Sequence, residues 1–72
     1  MKRFKSCVVR INPRDHNPPH VHVVMSDGRE VSVDLATLEI TGHINRREIA
    51  DVLKWIAGKC DELRRLFEEL VK

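Results

Sequence analysis

Apolar and polar residues alternate in three stretches of the first half of the chain. In the first stretch, Cys7, Val9 and Ile11 lie on one side of an extended backbone, and the residues between them lie on the other. Alternation with a period of two is typical of a strand that is buried on one face. We therefore predict a small three-stranded antiparallel sheet, a β-meander in chain order or with the first strand at an edge, formed by residues 5–11, 20–26 and 29–35.

The turn between the second and third strands decides which side chains share a face. A two-residue turn would place the apolar residues of the third strand on the same face as His20 and His22. A three-residue turn at 26–28, with Gly28 in the left-handed conformation, shifts the register by one residue and inverts that face. Because this register gathers the valines on one apolar face, we favour it. It places His22 opposite Ser32 and His20 opposite Asp34.

The second half of the chain has the spacing of an amphipathic helix. From residue 46 to residue 71, apolar residues recur at alternating steps of four and three. Asn45 and Glu48 match a capping box at its start. Gly58 lowers helix propensity by about 1 kcal/mol relative to alanine, but the apolar stripe keeps its phase across it. We therefore predict one long C-terminal helix, bent at Gly58.

This helix is longer than the sheet that would cover it. About 26 helical residues extend for about 39 Å, whereas a six-residue strand extends for about 20 Å. The C-terminal half of the helix must then fold back at Gly58 or bury itself against a second copy of the chain. We favour a homo-oligomer formed through that half.

Length and composition restrict the class of protein. The chain has 72 residues, with 42% hydrophobic and 33% charged residues, as expected for one globular α+β domain over residues 1–72. No apolar run exceeds three residues, so we expect no membrane span. The first 15 residues lack the apolar stretch of a secretory signal, so we expect a cytoplasmic protein.

The charge is unevenly distributed. The net charge is +2, but residues 1–14 carry five basic side chains and no acidic one. A basic segment of this kind can contact a phosphate backbone. Arg46 and Arg47 lie in the first turn of the predicted helix, where the helix dipole disfavours cations. They either extend into solvent or, with Arg10, bind an anion such as RNA.

The residues that can carry chemistry are concentrated between Asp15 and His22. Alternation places His20 and His22 on the same side of a strand, and His16 lies in the proline-rich loop just before it. The hairpin register adds Asp34 to the group. We take His16, His20, His22 and Asp34 as the candidate catalytic residues.

Three interpretations of this cluster remain open. His20, His22 and Asp34 can ligate zinc, nickel or another divalent metal. Without a metal, an imidazole oriented by Asp34 can take a proton from a ribose hydroxyl. In the third interpretation, the histidines only hydrogen-bond the proline-rich loop. Whether the protein is an enzyme stays open at this point.

The run from Asp15 to His22 reads Asp-His-Asn-Pro-Pro-His-Val-His. It resembles the signature of the small bacterial proteins called domain of unknown function 4160, in which an aromatic residue usually takes the place of Val21. The resemblance spans roughly residues 7–63. Outside the run it includes Arg10, Asp34-Leu35, Gly42, Arg46-Arg47, Leu53 and Trp55.

The resemblance implies a class of function. Members of that family are suspected to take part in toxin–antitoxin-like pairs with a neighbouring small protein. We therefore expect a component of such a module that binds or acts on RNA or a cognate small protein. The alternatives are a non-enzymatic interaction domain that dimerises and has a structural histidine loop, and a divalent-metal-binding module.

Overall fold

A computed structural model of the chain describes residues 2–12 and 18–70. Within these residues, five strands form one antiparallel sheet in chain order, followed by a short 3-10 helix and two α-helices. The strands are β1 (Lys2–Arg3), β2 (Cys7–Arg10), β3 (His20–Met25), β4 (Glu30–Asp34) and β5 (Ile40–Thr41). The 3-10 helix is Arg46–Ile49, α1 is Ala50–Gly58 and α2 is Cys60–Leu70.

The prediction of a three-stranded sheet was wrong because two short strands extend it. β1 pairs Lys2 with Val9, and β5 pairs Ile40 with Val33. Each of these edge strands has only two residues, too few to show an alternating pattern. The three strands between them lie within the predicted ranges, and the predicted first strand occupies an inner position, between β1 and β3.

The prediction of one long helix was also wrong. Residues 46–49 form a 3-10 helix, and α1 ends at Gly58. Lys59 leaves the helical conformation, with φ −121° and ψ 12°, and its N–H donates to the carbonyl of Ile56 at 3.0 Å. The break is a single residue long. The apolar stripe therefore continues from Ile56 in α1 to Leu63 in α2 without losing its phase, which hid the break from the pattern.

The hairpin register follows the three-residue turn, as predicted. The structure pairs His20 with Asp34 and His22 with Ser32. Gly28 has φ +98°, and its N–H donates to the carbonyl of Met25 at 3.0 Å. Val21 and Val23 of β3 and the two valines of β4 consequently share the buried face, and the histidines lie on the opposite face.

The core lies between the apolar face of the sheet and the helices. Val9, Val21 and Val23 contribute fully buried side chains from the inner strands. The helices cover them with two pairs of buried residues, Val52 and Ile56 from α1 and Leu63 and Phe67 from α2. No helix within the described part of the chain is long and apolar enough to cross a membrane.

Candidate functional site

One polar row crosses the sheet on the face opposite the core. The strand registers place Arg10 of β2 beside His22, His22 beside Ser32, and Ser32 beside Thr41 of β5. Residues paired directly across antiparallel strands have their side chains on the same face. A guanidinium, an imidazole and two hydroxyls therefore follow one another across four strands.

His22 is the most constrained member of this row. Its Nδ1 lies 3.0 Å from Oε2 of Glu30, and its side chain is only 16% exposed. The other carboxylate oxygen of Glu30 lies 3.4 Å from Nη2 of Arg10. An ionised carboxylate only accepts hydrogen bonds, so Nδ1 of His22 donates, and the lone pair of the neutral ring lies on Nε2.

Glu30 did not appear among the residues predicted from the sequence, although the predicted register contained the signal for it. With His22 opposite Ser32, the residue two positions before Ser32 lies diagonally across from His22 on the same face. Diagonal neighbours in an antiparallel pair are within reach of long side chains. A carboxylate at that position could therefore have been predicted as the partner of the imidazole.

His20 is held in a similar way by a different acceptor. Its Nδ1 lies 2.8 Å from the carbonyl oxygen of Pro18. Because a carbonyl only accepts, this nitrogen carries the proton, and the neutral ring has its lone pair on Nε2. The ring centroid of His20 lies 5.0 Å from that of His22 and 5.5 Å from that of the buried Phe67. The two imidazoles therefore form a pair, and the ring of His20 also contacts Phe67 of α2.

Asp34 is paired with His20 in the register, but its Oδ1 also organises a turn. The backbone N–H groups of Ala36 and Thr37 donate to that oxygen at 2.7 and 3.0 Å. The hydrogen bonds from Thr37 and Ala36, with a smaller contribution from His20, hold the pKa of Asp34 below its usual value. The structure thus gives Asp34 a role in shaping the β4–β5 connection.

The candidate anion-binding arginines are divided between two places. Arg10 lies in the polar row, with its side chain 51% exposed. Arg46 and Arg47 lie at the start of the 3-10 helix, where the N–H of Arg47 donates to the side chain of Asn45 at 3.0 Å. The 3-10 helix lies near the turn of the β3–β4 hairpin. His20 is the first residue of β3 and lies at the opposite end of that hairpin. Only Arg10 is therefore placed beside the histidine pair.

His16 and its neighbour Asp15 lie outside the described residues. Among residues 2–12 and 18–70, no three His, Cys, Asp or Glu side chains are grouped so that they can hold a metal ion.

Together the fold and the site define a small α+β domain that carries a histidine pair on the polar face of its sheet. The chain belongs to the family described as a domain of unknown function, DUF4160, whose model matches residues 7–68. No curated protein and no solved structure matches the chain. The family resemblance read from the sequence is therefore confirmed, and it carries no assigned activity with it.

Proposed function

We propose that this protein is a cytoplasmic component of a toxin–antitoxin-like module and that it acts on RNA through His20 and His22. The observation that carries the proposal is the orientation of His22. Its Nδ1 lies 3.0 Å from Glu30, and Arg10 contacts the same carboxylate. A carboxylate that fixes the tautomer of an imidazole and stabilises its protonated form is a recurrent feature of acid–base catalysis.

The proposed reaction is cleavage of a phosphodiester by the neighbouring ribose. Nε2 of His22 takes the proton of the 2′-hydroxyl, and the 2′-oxygen attacks phosphorus. The bond from phosphorus to the 5′-oxygen breaks, and that oxygen receives a proton from Nε2 of His20, which enters this step as the imidazolium and leaves it as the neutral ring. The products are a 2′,3′-cyclic phosphate and a free 5′-hydroxyl. Arg10 neutralises the phosphate, as an arginine near a developing oxyanion does.

Expression in bacteria, with and without the genomic neighbour, tests this proposal. Growth arrest should depend on His20 and His22, and the substitutions His20→Ala and His22→Ala should relieve it. His43→Ala is the matched control, because His43 is exposed and lies outside the histidine pair. Cleavage of a short RNA by the purified protein should leave a cyclic phosphate. If both variants fold and behave like the unmodified protein, the pair has no catalytic role.

A second candidate function is self-association through the C-terminal helix. Leu66 and Leu70 of α2 are 39% and 46% exposed, which is high for leucine side chains on one helix. They lie in the C-terminal half of the originally predicted helix. In this alternative the protein is an interaction domain, its partner is a second copy or a cognate small protein, and the histidine pair is structural.

A third candidate function is binding of zinc or nickel by His20 and His22. Both rings direct Nδ1 to an oxygen acceptor, the arrangement that commonly orients metal-ligating histidines. Elemental analysis of untagged protein, together with thermal shift on addition of either metal, tests it. Absence of bound metal and of any shift would exclude this candidate.

A further inference from the structure

A polar cleft of about 290 Å³ lies beside the histidine pair, on the β4–β5 side of the sheet. Its floor is the end of the polar row, where Ser32 and Thr41 are paired across two strands. The proposed reaction uses only one of the residues that line it. The lining residues are Pro18, His20, Ser32, Asp34, Glu39 and Thr41.

The chemistry of the cleft excludes phosphate as its occupant. Asp34 and Glu39 contribute two carboxylates, and the hydrogen bonds on Asp34 keep it ionised. Ser32 and Thr41 contribute hydroxyls that both donate and accept. Such a surface repels an anion. It accepts hydrogen bonds from hydroxyl and amino groups, which are the exposed groups of a sugar and of the edge of a nucleobase.

The opposite side of the histidine pair carries more positive than negative charge, with Arg10 and Arg3 against the single carboxylate of Glu30. Arg10 lies beside His22 on β2, and Arg3 of β1 is paired with Val8 on the same face. Adjacent strands are about 4.8 Å apart, so about 10 Å separates Arg10 from the strand that carries Ser32. This is about the length of one nucleotide. A ligand that spans the pair needs an anionic end at Arg10 and a hydroxyl-rich or amino-bearing end in the cleft.

We propose that the cleft binds the ribose and the amino-bearing base edge of an RNA nucleotide whose phosphate contacts Arg10. This inference rests on the proposed RNA-directed function and adds to it which part of the substrate the cleft recognises. Ser32 and Thr41 would hydrogen-bond the ribose hydroxyls. The protein would therefore prefer single-stranded RNA to DNA of the same sequence, because the 2′-hydroxyl is the group that distinguishes the two.

The test measures binding of a fluorescent single-stranded RNA and of the same sequence in DNA, by anisotropy, at several salt concentrations. The unmodified protein should bind RNA about tenfold more tightly, because a site built to hydrogen-bond a hydroxyl discriminates against its absence. Thr41→Val and Ser32→Ala should reduce this ratio to near one and leave DNA affinity unchanged. Ser26→Ala, an exposed serine in the hairpin turn, is the matched control.

Arg10→Gln provides the complementary measurement. It should weaken RNA and DNA binding equally and lower the slope of log affinity against log salt by about one, as loss of one phosphate contact does. If the unmodified protein binds and cleaves RNA but the cleft variants keep the full RNA preference, the cleft assignment is wrong and the proposed function stands. If the unmodified protein binds neither RNA nor DNA, or binds only its protein neighbour, both the cleft assignment and the proposed function are wrong. Circular dichroism melts confirm that each variant is folded.

Discussion

In the proposed reaction, Glu30 does not touch the substrate, but the chemistry depends on it because it holds His22. It receives the Nδ1–H of His22 at 3.0 Å and lies 3.4 Å from Arg10. A carboxylate in this position fixes the ring and stabilises the imidazolium that forms during proton transfer. Its removal should therefore affect the rate of the chemical step and leave substrate binding almost unchanged.

Glu30→Gln should lower kcat for RNA cleavage roughly 10- to 100-fold with KM nearly constant, because the amide can accept the hydrogen bond but has no charge. Steady-state kinetics on a short RNA measures both constants. Glu69→Gln on α2 is the control and should behave like the unmodified protein. A rise in KM with kcat unchanged would indicate that Glu30 acts in binding, contrary to this assignment.

The backbone conformation at position 42 requires a glycine. Its φ is +135°, and a Cβ at this position would lie 2.5 Å from Cγ1 of Val31. Gly42→Ala should therefore lower the free energy of unfolding by about 1–3 kcal/mol, through overpacking and an unfavourable backbone conformation.

Gly58→Ala is the natural comparison for Gly42→Ala in urea denaturation. A Cβ at Gly58 would meet nothing within 4 Å, and this residue ends a helix. The substitution should raise the free energy of unfolding by about 0.5–1 kcal/mol, the difference in helix propensity. Equal effects at the two glycines would contradict the contact with Val31.

At the scale of elements, one ion-pair cluster joins the hairpin to the helices. Nη2 of Arg29 lies 2.8 Å from Oδ2 of Asp27 in the turn and 2.8 Å from Oε1 of Glu48 in the 3-10 helix. Glu48 also accepts the backbone N–H of Asn45 at 3.0 Å, which completes the capping box. The hydrogen bonds from Arg29 and from Asn45 lower the pKa of Glu48 to about 2.

This cluster predicts a loss of stability in acid. Because the pKa of Glu48 is lower in the folded protein than its ordinary value of 4.5, its contribution is fully present above pH 4.5 and is lost as the pH falls towards 2. Thermal melts between pH 7 and pH 2 measure this loss. Glu48→Gln should flatten the acid side of the profile, and Glu69→Gln should not. An unchanged profile in Glu48→Gln would exclude this contribution.

The elements that the sequence reveals are those long enough to show a period. The three inner strands and their register follow from alternation and from the length of the turn at 26–28. The edge strands are too short to show a period. The break at Lys59 is hidden from the sequence pattern, because it is one residue long and preserves the phase of the helical stripe. Asp34 follows from the register alone, as the residue directly opposite His20. The partner of His22 requires the register and the diagonal neighbour together, which explains why Glu30 is absent from the predicted site.

At the scale of the whole molecule, the break at Lys59 alters the argument for a dimer. The break divides the predicted helix of about 39 Å into two shorter helices. The second of them, α2, contacts β3 and buries Leu63 and Phe67 instead of extending beyond the sheet. Leu66 and Leu70 nevertheless remain exposed on α2. The proposed interface is therefore smaller than the one the sequence suggested, and it is centred on these two leucines.

Light scattering at micromolar concentration tests this interface. A dimer should have twice the 8.4 kDa mass of the chain, and Leu66→Glu should return it to that mass. Lys54→Glu, an exposed position on α1, is the control and should remain dimeric. A monomeric unmodified protein would exclude self-association through these leucines.

The two-residue strands at the borders of the sheet have a consequence for behaviour at high concentration. β1 and β5 cover the flanks of the three longer strands, so the sheet presents only a short row of unpaired backbone groups at either border. Long, flat borders are the surfaces on which foreign strands add and fibrils grow. The valine-rich centre of this sheet is thus shielded from templated aggregation by four residues, of which only Ile40 packs against the core.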